Sequence, residues 1–267
     1  MATTASLSPA DLRREMAQYT WYHTVELAPG LVTPGQYDHR PVLPHYGIPE
    51  DLSGKTVLDV GPAHGFFAFE FEKRGAARVV TAELPAWSEH DGSPDLKTEF
   101  KVQNVDVANL SYLHGALEFA IRARQSRVER RFCNVYDLNP HFIGAFDLVF
   151  CGSLLIHLTD PLRALYAIRS VTRERAIICT VIDSPCHCTW WWQARRCHPM
   201  NRLCDQAPRA VFFGTRTGQS FWAPNMVCLE RWALAAGFNR VERFSTFTLQ
   251  STDGQFQPLH GTIHAYV

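Results

Sequence analysis

Two acidic residues flank a glycine-containing turn in the first third of the chain. Asp59 lies near the end of the apolar run Thr56–Val60. Gly61 and Gly65 follow it, and Glu83 closes a second, β-branched run. Small residues in such a turn let backbone N–H groups approach a ligand, the start of a helix adds partial positive charge, and an acid after the next strand can accept hydrogen bonds from a ribose. The stretch predicts strand, turn, helix, strand and acid, with a nucleoside derivative as the ligand.

The spacing of the glycines distinguishes between kinds of nucleotide site. Dinucleotide sites favour G-x-G-x-x-G and phosphate loops favour G-x-x-x-x-G-K-[ST], and the turn matches neither pattern. The pattern D-x-G-x-x-x-G that starts at Asp59 resembles motif I of class I S-adenosylmethionine-dependent methyltransferases. The resemblance implies S-adenosylmethionine as the cofactor, with Asp59 orienting the loop or meeting the amino group of the cofactor. The other residues that it implies at the cofactor are Gly61, Pro62, Gly65, Glu83 and Leu84.

The composition gives the protein no global electrostatic preference for a partner. Lysine plus arginine and aspartate plus glutamate number 26 each, so the formal net charge is zero and no overall field attracts nucleic acid or an anionic membrane. No apolar run is as long as a membrane span, and the N-terminal residues lack the order of a secretory leader. These features predict a cytoplasmic protein with one main domain.

The cysteines are predicted to be reduced, because a chain of 267 residues does not need disulfides to hold its core. Cys151 and Cys179 lie inside apolar runs, where a thiol packs as a small hydrophobic group. The segment Cys186–Cys204 gathers cysteines and histidines, but C-x-C followed by C-H is not a common zinc spacing. We therefore predict no metal site and interpret this segment as part of a substrate-side insertion.

Apolar periodicity alternates between the patterns of strands and helices along the chain. The spacing predicts a helix over Leu110–Arg124, a strand over Arg131–Val135 and a helix that starts at Ala223. The runs Asn239–Thr248 and Gly261–Val267 predict a terminal antiparallel pair. Together the elements predict an α/β fold with a doubly wound, mainly parallel, seven-stranded sheet.

The same order predicts how the chain is divided. Residues 1–50 are expected to form an N-terminal arm and lid that contains a short helix and several aromatic residues. Residues 51–267 are expected to form the methyltransferase domain, with the insertion at about 185–222.

The resemblance to class I methyltransferases extends to the third and fourth predicted strands. It implies that an amide or acid after the third strand reads the adenine, and Asn134 and Asp137 both remain candidates for that role. It also implies that the end of the fourth strand lies beside the transferable methyl group. The residues implied at these two places are Asn134, Val135, Asp137, Cys151, Gly152 and Ser153.

Further motifs are similar to one branch of that family, the tRNA wobble-uridine carboxymethyltransferases and their small-molecule relatives. They are W-x-[KH] at Trp21, F-D-x-V-F from Phe146 and P-N-x-x-x-L from Pro224. The carboxymethyl enzymes have a lysine where this chain has His23, and a tyrosine where it has Ile156. Imidazole and an aliphatic group cannot replace an ammonium and a phenol in binding a carboxylate. The departures therefore favour ordinary methyl transfer.

Histidines and aromatic residues are the candidates for acceptor chemistry. His23 or His157 is expected to act as a general base, because imidazole titrates near neutral pH. The alternative for His157 is that it only binds backbone groups. The aromatic residues expected to cover the acceptor are Trp21, Tyr22, Tyr37, Trp191 and Trp222.

Three functions are compatible with these residues. The favoured function is methyl transfer to oxygen or nitrogen of a small molecule, with aromatic compounds and natural products as candidate acceptors. The second is modification of tRNA at the wobble uridine, which keeps nucleic acid open as a partner. The third is a non-catalytic module that binds the cofactor or zinc.

Overall fold

Eleven strands and six α-helices make up the computed structural model, which describes residues 8–102, 114–183, 206–216 and 218–267. The strands are β1 (Glu26–Ala28), β2 (Leu31–Val32), β3 (Thr56–Val60), β4 (Arg78–Glu83), β5 (Glu129–Phe132), β6 (Phe146–Gly152), β7 (Thr172–Val181), β8 (Ala210–Phe212), β9 (Trp222–Pro224), β10 (Arg240–Thr248) and β11 (Leu259–Tyr266). The helices are α1 (Pro9–Met16), α2 (Phe66–Lys73), α3 (Pro94–Val102), α4 (Ala116–Arg124), α5 (Pro161–Ser170) and α6 (Met226–Ala235).

Seven strands form the central sheet in the order β10-β11-β7-β6-β3-β4-β5. The strands from β7 to β5 are parallel, whereas β11 pairs antiparallel with both β7 and β10. The chain runs from β3 towards one edge and then returns to place β6 on the other side of β3. The carboxyl ends of β3 and β6 therefore flank the switch point, where open α/β sheets bind ligands. The predicted doubly wound fold and its antiparallel end are confirmed.

Both faces of the sheet are covered, which is why the central strands are apolar without alternation. In β6, Leu148 and Phe150 join the core on one face, while Val149 and Cys151 join the core on the other. The ring of Phe150 lies 4.3 Å from that of Phe67 in α2, measured between centroids. Burying side chains of this size stabilises the fold by about 2 kcal/mol each.

The N-terminal arm packs on the face that holds α2 and α4. Ser8 caps α1 through a hydrogen bond to the Asp11 N–H, and Pro9 occupies the first turn, as the sequence predicts. The ring of Tyr19 stacks on Phe119 of α4 with centroids 5.5 Å apart. The strands β1 and β2 form a short hairpin in the arm.

Two element boundaries differ from the sequence prediction. The third parallel strand ends at Phe132, because the Asn134 side chain accepts a hydrogen bond from the Tyr136 N–H and caps a 3₁₀ turn instead. The helix predicted from Ala223 starts at Met226, because β9 pairs with β8 and Asn225 then caps α6. The start of the helix predicted over 110–124, and the Cys186–Cys204 segment, lie outside the described residues. Within the residues described, no helix is long and apolar enough to cross a membrane.

Candidate active site

The glycine turn between β3 and α2 has a left-handed backbone at both glycines. Gly61 has φ 72° and Gly65 has φ 84°, a region that favours glycine. The Gly61 N–H donates to the Ala82 carbonyl at 2.9 Å, and the Gly65 N–H donates to the Pro62 carbonyl at 2.8 Å. A Cβ on Gly65 would lie 2.6 Å from a methyl carbon of Leu117. The turn therefore needs glycine at position 65 for both conformation and space.

A first cleft of about 420 Å³ opens at the carboxyl ends of β3, β4 and β5. Five residues expected at the cofactor line it: Gly61, Glu83, Leu84, Asn134 and Val135. The sequence prediction did not include its other lining residues, which are Val60, Ala82, Glu89, His90, Asp91, Cys133, Tyr136, Leu154 and Leu158. Pro62, Gly65 and Asp59 lie behind this surface, in the turn and the strand that shape it.

Two carboxyl groups on adjacent strands near the first cleft have raised pKa values. Asp59 is 1% exposed, and its Oδ2 has no hydrogen-bond partner among the residues that the structure describes. Burial, reinforced by the charge of Glu83, raises the pKa of Asp59 to about 8. Glu83 accepts the Leu84 N–H at 2.8 Å, and burial raises its pKa to about 7. A ligand with hydrogen-bond donors in the cleft would satisfy the oxygens of Glu83, as the ribose of a nucleoside cofactor does.

The two candidates for reading adenine are separated by the 3₁₀ turn after β5. Asn134 lines the first cleft. Asp137 is exposed, does not line that cleft, and has an oxygen 3.9 Å from a guanidinium nitrogen of Arg163. The structure thus brings only Asn134 together with Glu83.

The turn of residues 153–158, after β6, contributes side chains to two clefts. Leu154 and Leu158 line the first cleft, whereas Ser153, Ile156 and His157 line a second one. Of the other residues expected near the methyl group, Cys151 is fully buried in β6. Gly152 has no room for a side chain, because a Cβ there would lie 2.7 Å from the ring of Phe150.

The second cleft is an open space of about 1950 Å³. The N-terminal arm, the turn 153–158, the end of β7 and the connection between β10 and β11 form its walls. Its polar lining residues are Tyr22, Gln36, Tyr37, Ser153, His157, Asp183, Ser220, Gln255, Gln257 and His260. No lysine or arginine is among the described residues that line it.

His157 lines the second cleft, and one of its ring nitrogens is unprotonated. Its Nδ1 lies 2.8 Å from the Gln219 carbonyl oxygen, which can only accept, so Nδ1 carries the proton and Nε2 does not. Burial lowers the pKa of His157 from its ordinary value and so favours the neutral ring. His157 thus binds a backbone group and also lines a cleft, and its role as a general base stays a prediction.

His23 and Trp21 occupy different surroundings from His157. His23 is 4% exposed, its Nδ1 accepts the Phe66 N–H at 3.4 Å, and burial lowers its pKa well below 6.5. Trp21 is 3% exposed and donates its Nε1–H to the Met16 carbonyl at 3.0 Å. Neither residue lines either cleft. The arm therefore buries these two side chains in the core, and they do not cover either cleft.

The remaining aromatic candidates are divided in the same way. Tyr22 and Tyr37 line the second cleft. Trp222 packs against Phe212 with ring centroids 4.7 Å apart, and its Nε1–H donates to the Thr159 carbonyl, outside both clefts. Trp191 lies outside the described residues.

Two residues that sequence reasoning missed complete the site. Asp91 lines the first cleft and binds Thr159, and His260 lines the second cleft and binds Ser153. His260 lies within a buried strand, so a titratable residue inside an apolar run was the available signal. Asp91 lies in a loop rich in turn residues and gave no comparable signal.

A model of the family described as "Methyltransferase domain" matches residues 40–243. The chain belongs to this methyltransferase family. The match runs through the glycine turn, both acids and the turn 153–158. The methyltransferase is also 23% identical over 197 residues to a tRNA U34 carboxymethyltransferase of Helicobacter acinonychis (strain Sheeba), covering 73% of this chain and 60% of that protein. It thus spans about 60% of the length of the curated relatives it matches.

Solved structures show the same fold at low identity. The N-terminal domain of EvdMO1, crystallised in the presence of SAH and D-fucose, is 15% identical and has a TM-score of 0.63, covering 99% of the methyltransferase and 100% of that chain. An S-adenosylmethionine-dependent methyltransferase from Mesorhizobium loti is 12% identical with a TM-score of 0.50, covering 86% and 97%.

The cofactor of the methyltransferase is S-adenosylmethionine, as the sequence predicted, and the residues at the first cleft fit it. Glu83 would hold the ribose and Asn134 the adenine, while Asp59 lies behind the glycine turn with no partner for its Oδ2 among the described residues. When bound, the cofactor supplies a methyl group activated by a sulfonium.

Proposed function

We propose that the methyltransferase methylates a hydroxyl group of a neutral, hydroxyl-rich small molecule. The observation that carries this proposal is the lining of the second cleft by hydroxyl, amide and imidazole groups, with no lysine or arginine among its described residues. Its one described carboxylate, Asp183, is paired with Arg209 at 3.0 Å. Anionic acceptors need cationic partners when they are desolvated, and this lining provides none. A sugar or other neutral polyol instead exchanges hydrogen bonds with such groups.

The location of this cleft supports its role in binding the acceptor. The turn 153–158 borders the first cleft with Leu154 and the second with Ser153, so the two ligands meet at adjacent residues. The EvdMO1 domain, which shares the fold, was crystallised with a neutral sugar, D-fucose. Tyr22 and Tyr37 add aromatic rings to the polar wall, as expected for a site that binds the faces of sugar rings.

His157 is the residue that we assign as the general base. Methyl transfer breaks the sulfonium S–CH₃ bond, forms an O–CH₃ bond and releases S-adenosylhomocysteine and a proton. The unprotonated Nε2 of His157 accepts that proton from the acceptor hydroxyl. The Gln219 carbonyl fixes the ring in this tautomer, and burial keeps it neutral. His23 lies in the core and is not part of this proposal.

Ordinary methyl transfer, rather than carboxymethyl transfer, follows from the same lining. Ile156 lines the second cleft where the carboxymethyl enzymes have a tyrosine, and an aliphatic group cannot bind a carboxylate. The described part of the cleft also lacks the lysine that a carboxylated cofactor would need.

The proposal is tested by methyl transfer to three classes of acceptor. The purified protein is incubated with S-adenosylmethionine carrying a tritiated methyl group and, in parallel, neutral monosaccharides and methyl glycosides including D-fucose, small amines, and total tRNA. We expect label in the neutral sugars alone, as an alkali-stable methyl ether identified by mass spectrometry. Label in tRNA or in the amines, with none in the sugars, would overturn the proposal.

The role of His157 is tested separately from the acceptor class. His157→Gln is expected to lower kcat by about a hundredfold or more, with a small change in affinity for S-adenosylhomocysteine. His141→Gln is the matched control, because His141 is exposed and lines neither cleft. Equal kcat in the two variants would remove His157 from the mechanism.

A further inference from the structure

A hydrogen bond joins the turn after β6 to the last strand of the sheet. The Nε2 of His260 in β11 lies 3.0 Å from the Oγ of Ser153. Both residues line the second cleft, and His260 is only 2% exposed. The contact connects residues that are 107 positions apart in the chain.

The direction of this hydrogen bond follows from the second partner of the ring. His260 Nδ1 lies 3.1 Å from the Pro258 carbonyl oxygen, which can only accept, so Nδ1 is protonated. Nε2 is therefore the acceptor and Ser153 Oγ–H is the donor. With its proton committed to His260, the Ser153 oxygen can act only as an acceptor towards anything else in the cleft.

The backbone at Ser153 is held in an unfavourable conformation. Its φ is 56°, in the left-handed region that L residues rarely adopt. The Ser153 N–H donates to the Cys179 carbonyl at 2.8 Å, and the side chain is anchored to His260. Strain that is held by several contacts concentrates at functional sites.

Packing alone does not account for a histidine at position 260. The ring stacks on Phe247 with centroids 5.5 Å apart and an interplanar angle of 21°. A phenylalanine could provide that stacking without burying two polar nitrogens, which stay favourable only while both are hydrogen-bonded. Stacking therefore does not explain the polar ring nitrogens of His260, whose one side-chain hydrogen-bond partner among the described residues is Ser153.

We infer that Ser153 binds the methyl acceptor, that His260 is the positioning residue which makes its oxygen a hydrogen-bond acceptor, and that the acceptor carries two neighbouring hydroxyl groups. This inference rests on the proposed function. His157 Nε2 and Ser153 Oγ are two acceptor-only atoms on the same turn. Each requires an O–H donor. A vicinal diol supplies both: one hydroxyl gives its proton to His157, and its neighbour donates a hydrogen bond to Ser153.

The first experiment examines the Ser153–His260 contact without turnover. Protein containing ¹⁵N-labelled histidine and saturated with S-adenosylhomocysteine is studied by NMR. In the wild type we expect a His260 ring protonated at Nδ1 with an Nε2 that accepts a hydrogen bond, and Ser153→Ala should shift the Nε2 signal downfield towards that of a free imine nitrogen. Ser245→Ala, at a serine that lines neither cleft, is the control. A His260 signal unmoved by Ser153→Ala would overturn the positioning role.

The second experiment uses neutral monosaccharides to test whether the acceptor binds through two neighbouring hydroxyl groups. D-fucose and its 2-deoxy, 3-deoxy and 4-deoxy counterparts are titrated into the wild type and Ser153→Ala, each saturated with S-adenosylhomocysteine. In the wild type we expect the two deoxy sugars that each lack one hydroxyl of the diol to bind about tenfold more weakly than D-fucose, as loss of one buried hydrogen bond predicts. Ser153→Ala should itself bind D-fucose about tenfold more weakly, and in this variant the difference should disappear for the deoxy sugar that lacks the hydroxyl bound to Ser153 and persist for the other.

Variants of His260 separate its positioning role from packing. His260→Phe keeps the stacking on Phe247 and should weaken D-fucose binding as much as Ser153→Ala does. His260→Gln places an amide oxygen near the Nε2 position and should restore most of the binding. The double variant Ser153→Ala/His260→Phe should be no weaker than either single one. If His260→Phe fails to fold, the comparison of His260→Gln with Ser153→Ala still decides the question.

The outcomes distinguish this inference from the proposed function. If Ser153→Ala binds D-fucose as tightly as the wild type does and discriminates equally against the deoxy sugars, the inference fails while the proposed function stands. If the wild type neither binds nor methylates any neutral sugar, the proposed function fails and this inference fails with it.

Discussion

Asp91 Oδ2 accepts hydrogen bonds from both the backbone N–H and the hydroxyl of Thr159, at 2.6 and 2.7 Å. The same oxygen accepts the hydroxyl of Tyr136. Asp91 follows β4, Tyr136 follows β5 and Thr159 follows β6, so one carboxylate ties together three loops around the first cleft. This arrangement holds the wall of the cofactor site in place.

Asp91→Ala is expected to weaken S-adenosylhomocysteine binding about tenfold or more, because hydrogen bonds to a charged group contribute about 1.5–3 kcal/mol and their loss frees the wall. Calorimetric titration measures the effect. Asp95→Ala is the control, since Asp95 lies in the first turn of α3, pairs with Arg216 and lines neither cleft. An unchanged affinity in Asp91→Ala would show that the three loops hold their positions without it.

The adenine site should depend on Asn134 and not on Asp137. Asn134 lines the first cleft, whereas Asp137 is exposed outside it. Asn134→Ala should raise the Kd for S-adenosylhomocysteine about tenfold, and Asp137→Ala should change it less than twofold. Titration of both variants decides between the two alternatives that the sequence left open. The opposite ranking would contradict the placement in the structure.

The change of kcat/KM with pH should follow the fraction of His157 that is in its neutral form. Because burial lowers the pKa of this imidazole from its ordinary value, kcat/KM should rise with pH through a midpoint lower than that of a free imidazole and then stay level. As the pH falls through that pKa, Nε2 becomes protonated and can no longer accept a proton. His157→Gln should lose this acidic limb. A limb that persists in the variant would assign it to another group.

Gly65→Ala should lower the stability of the fold. A Cβ at this left-handed position would lie 2.6 Å from Leu117, so we expect a loss of about 2 kcal/mol or more in the free energy of unfolding. Gly144→Ala is the matched control, with φ 91° but no atom within 4 Å of the added Cβ, and should lose only about 1 kcal/mol. Urea unfolding measures both variants. Equal losses would mean that Leu117 moves aside freely.

Local sequence patterns correctly predicted the strand, turn and helix beside the first cleft. Asp59, Gly61 and Gly65 are close in sequence, and the strand, turn and helix around them are specified by residues that are also local. The parallel order of the sheet followed from alternation of strands and helices. The 3₁₀ turn at Asn134 was missed because an amide that caps its own turn competes with continuation of the strand.

The acceptor side depends on contacts between distant parts of the chain, which periodicity does not encode. His23 and His157 are both histidines beside apolar residues, but the arm buries one under α2 while the turn after β6 places the other in a cleft. The Ser153–His260 contact requires β11 to pair with β7, a tertiary event that one sequence does not specify. Trp21 was expected to cover the acceptor, but it packs in the core for the same reason.

The turn 153–158 also bears on how such an enzyme could change its substrate. Because the side chains of Leu154 and Leu158 face one ligand site and those of Ser153, Ile156 and His157 the other, replacements at Ile156 could alter acceptor selection while leaving donor affinity intact. A shift of the turn backbone would disturb both ligands at once. Divergence of this enzyme towards new acceptors is therefore expected to proceed through side-chain exchange in the turn rather than through insertion or deletion.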